Sequence, residues 1–300
     1  MDDCIDTPGF QRAIAELCVT PGTLDELRDR PQAFAARFGL SPTQVQALHD
    51  AGLERFREFA EDLLYKRLTL IEKFSPALIG LLARRDDFGP LFREFARRHP
   101  SRSVSEVPHK VVRDCQWFHA HVADWARDRS DVGPHLAPIL AFEQAQGRLL
   151  ADEEAAAAAR ACAASNAGRQ LREDQLVGLR PRLSPHHLII DFPCDIVDLV
   201  RRVSEGLELP DQLLLPATTL LMAREPGRRS IRTIRVNERT RWLIDRCDGE
   251  HGVAELVLGF RRTWAAELSE AAVFDGVWRL LAGMRAMDML SFEDPCESVR

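Results

Sequence analysis

The chain has 300 residues, and its 40 Lys and Arg against 46 Asp and Glu give a formal net charge of −6. Hydrophobic residues make up 45% and charged residues 29%, a composition that predicts a packed core and excludes global disorder. No run reaches the roughly 18 apolar residues of a membrane span, and the acidic start Met1-Asp2-Asp3 fits neither a secretion nor a transit signal. We therefore expect a cytoplasmic protein with two domains.

Seven cysteines are scattered along the chain, without a CxxC or another short metal-ligand spacing. We expect reduced thiols, most of them small core residues. The sequence also has no GxGxxG, P-loop, GxSxG or HExxH motif. His186 and His187 are adjacent, and neighbouring strand positions face opposite sides, so the pair is a poor chelator. We expect no catalytic residue, no metal ligand and no cofactor on this chain.

Residues 8 to about 166 have apolar residues at helical spacing and no convincing strand, which predicts a helical bundle. An apolar series that follows Thr23 ends at Gly39, and Ser41-Pro42-Thr43-Gln44 combines an N-cap, a first-turn proline and a capping box. His119 and His121 cannot hold one ion because residues two apart on a helix point in different directions; we expect surface or partly buried histidines. The further predicted helices cover residues 53–70, 89–98, 110–127 and 136–164.

After Asn166 the chain becomes polar and rich in Gly and Pro, which predicts a linker over residues 167–210. This linker would carry a short strand at 187–192 and an amphipathic helix at 194–206. From Asp211 the pattern changes to strands followed by helices, which predicts a small winged-helix-like α+β domain over 211–300. Its predicted strands are 212–216, 218–224, 230–236 and 290–292, and its helices begin after Asn237, near Val253 and at Ala271. The chain as a whole is predicted to be mainly α, with the bundle over 1–166.

The second domain resembles the winged-helix peptide-binding domains typified by the pyrroloquinoline-quinone chaperone (PqqD-like). These domains recognise the leader peptides of ribosomally made, post-translationally modified peptides (RiPPs). The residues that carry the resemblance are the paired strands, Val236-Asn237-Glu238, Trp242-Leu243-Ile244-Asp245, the turn from Cys247 to Val253 with Leu256-Val257 after it, and Leu280-Leu281 to Leu290.

The first half resembles the helical partner proteins of multinuclear non-heme iron-dependent oxidases (DUF692-type). The matching segments are Leu64-Tyr65-Lys66-Arg67, Phe74 to Leu78, Leu91-Phe92-Arg93-Glu94-Phe95 before His99-Pro100, and Leu136 to Phe142-Glu143. Together the two halves are similar to the partner subunits that act in 3-thiaglutamate biosynthesis. The resemblance implies a heterodimer with an oxidase that carries the iron and the catalytic ligands, and a precursor peptide as the second partner.

The resemblance implies that a leader peptide adds a strand to the edge of the sheet, while its side chains enter a groove beside a helix. The edge would be residues 230–236, and the groove wall the third helix. For each apolar residue of that helix, a place in the core is the alternative. The predicted leader-binding residues are Ile231, Arg232, Thr233, Ile234 and Arg235 on the strand, and Val277, Leu280, Leu281 and Met284 on the helix.

The second domain also has a local excess of positive charge. Eight arginines lie between Arg224 and Arg246 against three acids, a local charge of +5 in a protein of net −6. We expect the arginines to attract an acidic leader; a solvated arginine-rich face is the alternative.

A different function for a winged helix is that of a DNA-binding regulator, which needs basic residues on the recognition helix. The third helix has only Arg279 and Arg285 as bases and also carries Asp275, so the sequence favours peptide over DNA.

Overall fold

A computed structural model describes residues 8–20, 22–100, 110–167, 178–213 and 216–293. Within these residues the chain is mainly helical, with a small antiparallel strand part. The helices are α1 (Pro8–Val19), α2 (Thr23–Asp29), α3 (Pro31–Phe38), α4 (Pro42–Asp50), α5 (Leu53–Phe74), α6 (Pro76–Leu82), α7 (Phe88–Arg98), α8 (Lys110–Ala126), α9 (Leu136–Ala151), α10 (Glu153–Ala167), α11 (Ile196–Ser204), α12 (Glu238–Ile244), α13 (Val253–Trp264) and α14 (Glu270–Ala286). The strands are β1 (Arg180–Leu183), β2 (His187–Phe192), β3 (Thr218–Arg224), β4 (Ile231–Val236) and β5 (Leu290–Glu293). No helix in these ranges is long and apolar enough to cross a membrane.

The chain divides into two compact units, residues 1–132 with 203–207, and residues 133–202 with 208–300. The first unit contains α1–α8, and its amino-terminal core is built from Phe10, Leu17, Leu27, Phe34, Phe38 and Leu48. A second cluster joins α5, α7 and α8. There Arg67 makes two hydrogen bonds to the Asp114 carboxylate, at 3.0 and 3.1 Å, and its guanidinium lies over the Phe95 ring. Both charged side chains are buried, so each is the other's required partner.

Helix boundaries follow local chemistry that the sequence shows. Ser41 and Gln44 form the predicted capping box at the start of α4, and Gly39 ends α3 with a φ of +67°. The apolar series before Gly39 is two helices rather than one, because Pro31 begins α3 directly after α2 ends. The predicted helix over 136–164 is likewise interrupted. Asp152 leaves the helical conformation, and its Oδ1 accepts hydrogen bonds from the first turn of α10.

The second unit is built on a three-stranded antiparallel sheet in the order β2-β3-β4, with a separate β1-β5 pair. Ile189, Leu221 and Ile234 lie opposite one another across the three strands and pack against one core. Apolar residues of α12, α13 and α14 complete that core. We call the face of the sheet that packs against it the core face. On the opposite face, Phe142 of α9 meets Phe192 of β2 edge to face. The sheet is therefore covered by helices on both faces.

The predicted domain bounds differ from this division. The bundle was expected to run to residue 166, but α9 and α10 belong to the second unit. Phe142 of α9 contacts β2, and Asn166 of α10 donates hydrogen bonds to Asp288 and to the Leu290 carbonyl. The strand predicted within the 167–210 linker is β2, which pairs with β3. Apolar periodicity identifies a helix that must be buried, but it does not say which partner buries it.

The strand predicted over 212–216 is not found in its described residues, which are irregular; residues 214 and 215 lie outside the described ranges. The third strand of the sheet is β2 instead. The remaining strands of the second domain match their predicted positions closely, as β3, β4 and β5. The strand β1 has no counterpart among the predictions.

Candidate peptide-binding edge of the sheet

The strand β4 lies at one edge of the three-stranded sheet, and no strand of the described residues pairs with its outer side. The Glu225 N–H donates to the Ser230 carbonyl across the β3–β4 hairpin. Hydrogen-bonded and non-hydrogen-bonded pairs alternate along an antiparallel ladder. The continuous register therefore directs the N–H and C=O of Ile231, Thr233 and Arg235 away from β3. These three residues define the outer edge of β4.

The side chains of β4 alternate between the two faces of the sheet. Val236 is buried and Ile234 is half-buried on the core face, as the periodicity of two requires. Thr233 and Arg235 are exposed on the other face. Arg232 shares the core face with Ile234, and half-buried Ile231 shares the other face with Thr233, so an added peptide would meet both apolar and polar side chains on each face.

The predicted groove wall is wrong for three of its four residues. Val277, Leu281 and Met284 are each 2% exposed or less and lie within the core. Because these positions share the face of α14 that packs inward, their surface is already used by the domain itself. Leu280 lies outside that face of α14; it is half-buried and packs on the rim of the core. Of the helix residues proposed as leader contacts, Leu280 alone has exposed surface in the structure.

Two of the predicted strand residues are held by ion pairs. Arg232 donates from Nη2 to Glu225 Oε1 at 3.2 Å, and its Nη1 lies 3.8 Å from Asp288 Oδ2. Arg235 donates to Asp195 Oδ1 at 2.8 Å. Two acids from other elements thus offset part of the local positive charge, which the sequence could not show because Asp195 and Asp288 are distant along the chain.

The β3–β4 hairpin is braced by Glu225. Its carboxylate accepts hydrogen bonds from Ser230 Oγ and from Arg232, and these hold the pKa of Glu225 below its usual range. The hydrogen bonds fix the start of β4 relative to β3. The outer edge of β4 is therefore a pre-ordered strand rather than a loop that must fold on binding.

Arg229 and Arg239 are the arginines that remain available near this edge. Both are exposed, and no carboxylate of the described residues pairs with either. By contrast, Arg228 faces Glu225 and Arg241 faces Asp245. Arg229 precedes β4 and Arg239 follows it, so the free cations flank the strand at both ends.

The two helix histidines are more buried than predicted. His119 is 1% exposed, and its Nε2 lies 2.7 Å from Ser75 Oγ. Burial lowers the pKa of His119 to about 4. His121 is 6% exposed, and burial also lowers its pKa. A serine–histidine contact sealed from solvent gives no substrate access, so we assign it to the packing of the first unit.

The adjacent histidines point to different partners. His187 Nδ1 lies 2.6 Å from the Ser184 carbonyl, whereas His186 lies 3.4 Å from Asp152 and 3.9 Å from Glu154. The side chains of His186, Asp152 and Glu154 are close enough to one another to surround an ion. Glu154 is 85% exposed, however, and both acids lie at the positive end of α10, which opposes a cation.

The helix that would enter a DNA groove shows little cationic surface. Arg279 lies 3.7 Å from Asp275 on the same helix, and Arg285 donates to Asn166. Both arginines of α14 are therefore engaged by neighbouring groups of the second unit.

No protein-family model matches this chain, and no curated protein is similar to it in sequence at a significant level.

Proposed function

We propose that this chain is a non-catalytic partner subunit in the biosynthesis of a ribosomally made, modified peptide. In this proposal, the outer edge of β4 binds the leader of a precursor peptide, and the first unit docks on an iron-dependent oxidase in the cytoplasm. The observation that carries the proposal is the open, pre-ordered edge strand with free arginines at both ends.

Binding would proceed by strand addition. The three outward residues of β4 offer up to six main-chain hydrogen-bonding groups to an extended peptide. Half-buried Ile234 would supply apolar surface on the core face, and Thr233 and Arg235 would supply polar surface on the other. Leu280 is the residue of α14 whose partly exposed side chain we propose as a further leader contact. Acidic leader residues beyond the ends of β4 would meet Arg229 and Arg239, which favours rapid encounter.

Delivery requires no chemistry from this chain. Iron and the residues that bind it belong to the oxidase in this proposal, and oxidation would take place there. Holding the leader on the same complex raises the concentration of the modifiable residue at the oxidase, and it restricts the approach of that residue.

The test is co-expression of the tagged full-length chain with the oxidase and precursor peptide encoded beside its gene, followed by pull-down and metal analysis. We expect a stoichiometric complex in which iron follows the oxidase. Thr233→Pro removes an outward N–H of β4 and should weaken precursor capture at least about tenfold. His187→Pro is the matched control, because it replaces the first residue of β2, where proline is tolerated.

A chain that stays alone and metal-free, and that retains promoter DNA instead, would replace this proposal with the regulator. Equal loss of precursor in the two proline variants would show that the β4 edge is not the binding site. Deletion of 211–300 is a poor test, since it removes the strands that pair with β1 and β2.

A further inference from the structure

The strand β2 forms the opposite edge of the same sheet, and its outer side is also unpaired by any strand of the described residues. Alternate residues of β3 direct their N–H and C=O groups toward β4, and the residues between them direct theirs toward β2. The outward N–H and C=O groups of β2 are therefore those of His187, Ile189 and Asp191. These three residues define the outer edge of β2.

Apart from the exposed carboxylate of Asp191, this edge lacks the features that usually prevent strands from pairing with another chain. Leu188, Ile189 and Ile190 are consecutive apolar residues, and each is only half-buried. Residues 187–192 contain no lysine, arginine or proline, and their register with β3 is continuous, without a bulge. Charged residues, prolines and bulges are the common protections of edge strands.

We propose that β2 pairs antiparallel with β2 of a second copy of this chain, with the two-fold axis at Ile189. In this register His187 lies opposite Asp191 of the second copy, and the same pair recurs on the other side of the axis. All three facing positions are outward ones, so the main-chain groups match. The strand is thus complementary to itself, as a two-fold interface requires.

The side chains of this pair are already oriented. His187 Nδ1 donates to the Ser184 carbonyl at 2.6 Å, which leaves Nε2 for a partner across the interface. Asp191 Oδ1 accepts from Thr219 Oγ1 at 2.6 Å, and its second oxygen takes no part in that bond. The imidazolium form of His187 is the one that donates to a carboxylate through Nε2.

A second copy fits this edge better than an acidic peptide does. The edge carries no arginine, whereas two copies of the β4 edge would bring the same arginines together. Pairing of six-residue strands buries less area than the roughly 1,200 Å² of stable interfaces. We therefore expect a weak dimer, with a Kd in the range of about 1 to 100 µM. The inference does not depend on leader binding.

Sedimentation equilibrium of the full-length chain over a concentration series tests the register by charge exchange. His187→Glu places an acid opposite Asp191, and Asp191→Arg places a cation opposite His187. Each single variant should raise the dimer Kd about tenfold, and the double variant H187E/D191R should return it to within about threefold of the parent. Thermal unfolding identifies any variant that fails to fold. A parent protein that is monomeric at 500 µM (about five times the weakest expected Kd) or no recovery in a folded double variant would overturn the proposal.

Cysteine cross-linking tests the axis independently. Residues facing each other in a hydrogen-bonded antiparallel pair have Cα atoms about 5.5 Å apart, within disulfide range. Ile189→Cys should form a covalent dimer under mild oxidation, and Thr233→Cys, at the outward position of β4, should stay at the level of the parent. The reverse pattern would overturn the proposal. So would loss of the Ile189→Cys cross-link on adding an acidic peptide, because that peptide would then occupy β2.

Discussion

The two edges of the three-stranded sheet offer the same pattern of outward main-chain groups, but the side chains near them differ. Both β2 and β4 present three outward residues, and both contribute to the core on one face of the sheet. The β4 edge is flanked by Arg229 and Arg239, whereas the β2 edge carries an apolar run between His187 and Asp191. Main-chain hydrogen bonding alone does not distinguish partners, so we propose that side-chain charge decides which ligand each edge accepts.

The largest expected effect separates core from binding surface on α14. Leu281→Ala empties a fully buried site and should lower the free energy of unfolding by about 2–5 kcal/mol. Leu280→Ala should cost less than about 1.5 kcal/mol, because the side chain is partly exposed, yet it should weaken precursor binding. Chemical denaturation and titration calorimetry measure the two effects. If Leu281→Ala weakens binding without loss of stability, Leu281 lines a groove after all.

That prediction also shows where the sequence sufficed and where it did not. The periodicity of α14 correctly predicts a helix, and the alternation in 230–236 correctly predicts a strand, because both patterns depend on local geometry. The same patterns cannot distinguish Leu281, which packs in the core, from Leu280 beside it, because core and groove residues are equally apolar.

Long-range contacts set the remaining limits. The place of β2 in the sheet, the contact of Phe142 with Phe192 and the pairing of Arg235 with Asp195 join segments that are distant in the chain. A helix such as α9 has the same amphipathic sequence whether it completes a bundle or covers a sheet. The capping box at Ser41 was predictable because all its atoms lie within four residues.

A smaller effect concerns charge at the β4 edge. The double variant R229E/R239E should slow precursor association roughly tenfold at low salt, because it reverses the cations at both ends of the strand. The difference should shrink as salt screens exposed charges. Stopped-flow measurements over a salt series provide the test, with exposed Arg262→Glu on α13 as a matched control. Arg262→Glu makes half the charge change of the double variant, so a slowing of about threefold in Arg262→Glu would mean that net charge, not the edge, controls encounter.

The smallest effect is the response of the hairpin to acid. The pKa of Glu225 is lowered in the folded state, mainly by the Ser230 hydroxyl and then by Arg232. Its stabilising contribution is therefore complete above the ordinary carboxyl range and is lost as pH falls through the lowered value. Glu225→Gln should reproduce this loss at neutral pH, with faster amide exchange in β4. Unchanged exchange in this variant would show that Glu225 does not brace the hairpin.

Amide hydrogen exchange followed by NMR, on the full-length chain with and without the precursor peptide, tests the central claim most directly. Strand addition at β4 predicts that the amides of Ile231, Thr233 and Arg235 become protected, while those of His187, Ile189 and Asp191 do not change. Protection at β2 with none at β4, or no protection at either edge despite binding, would contradict the assignment of β4 as the leader-binding edge.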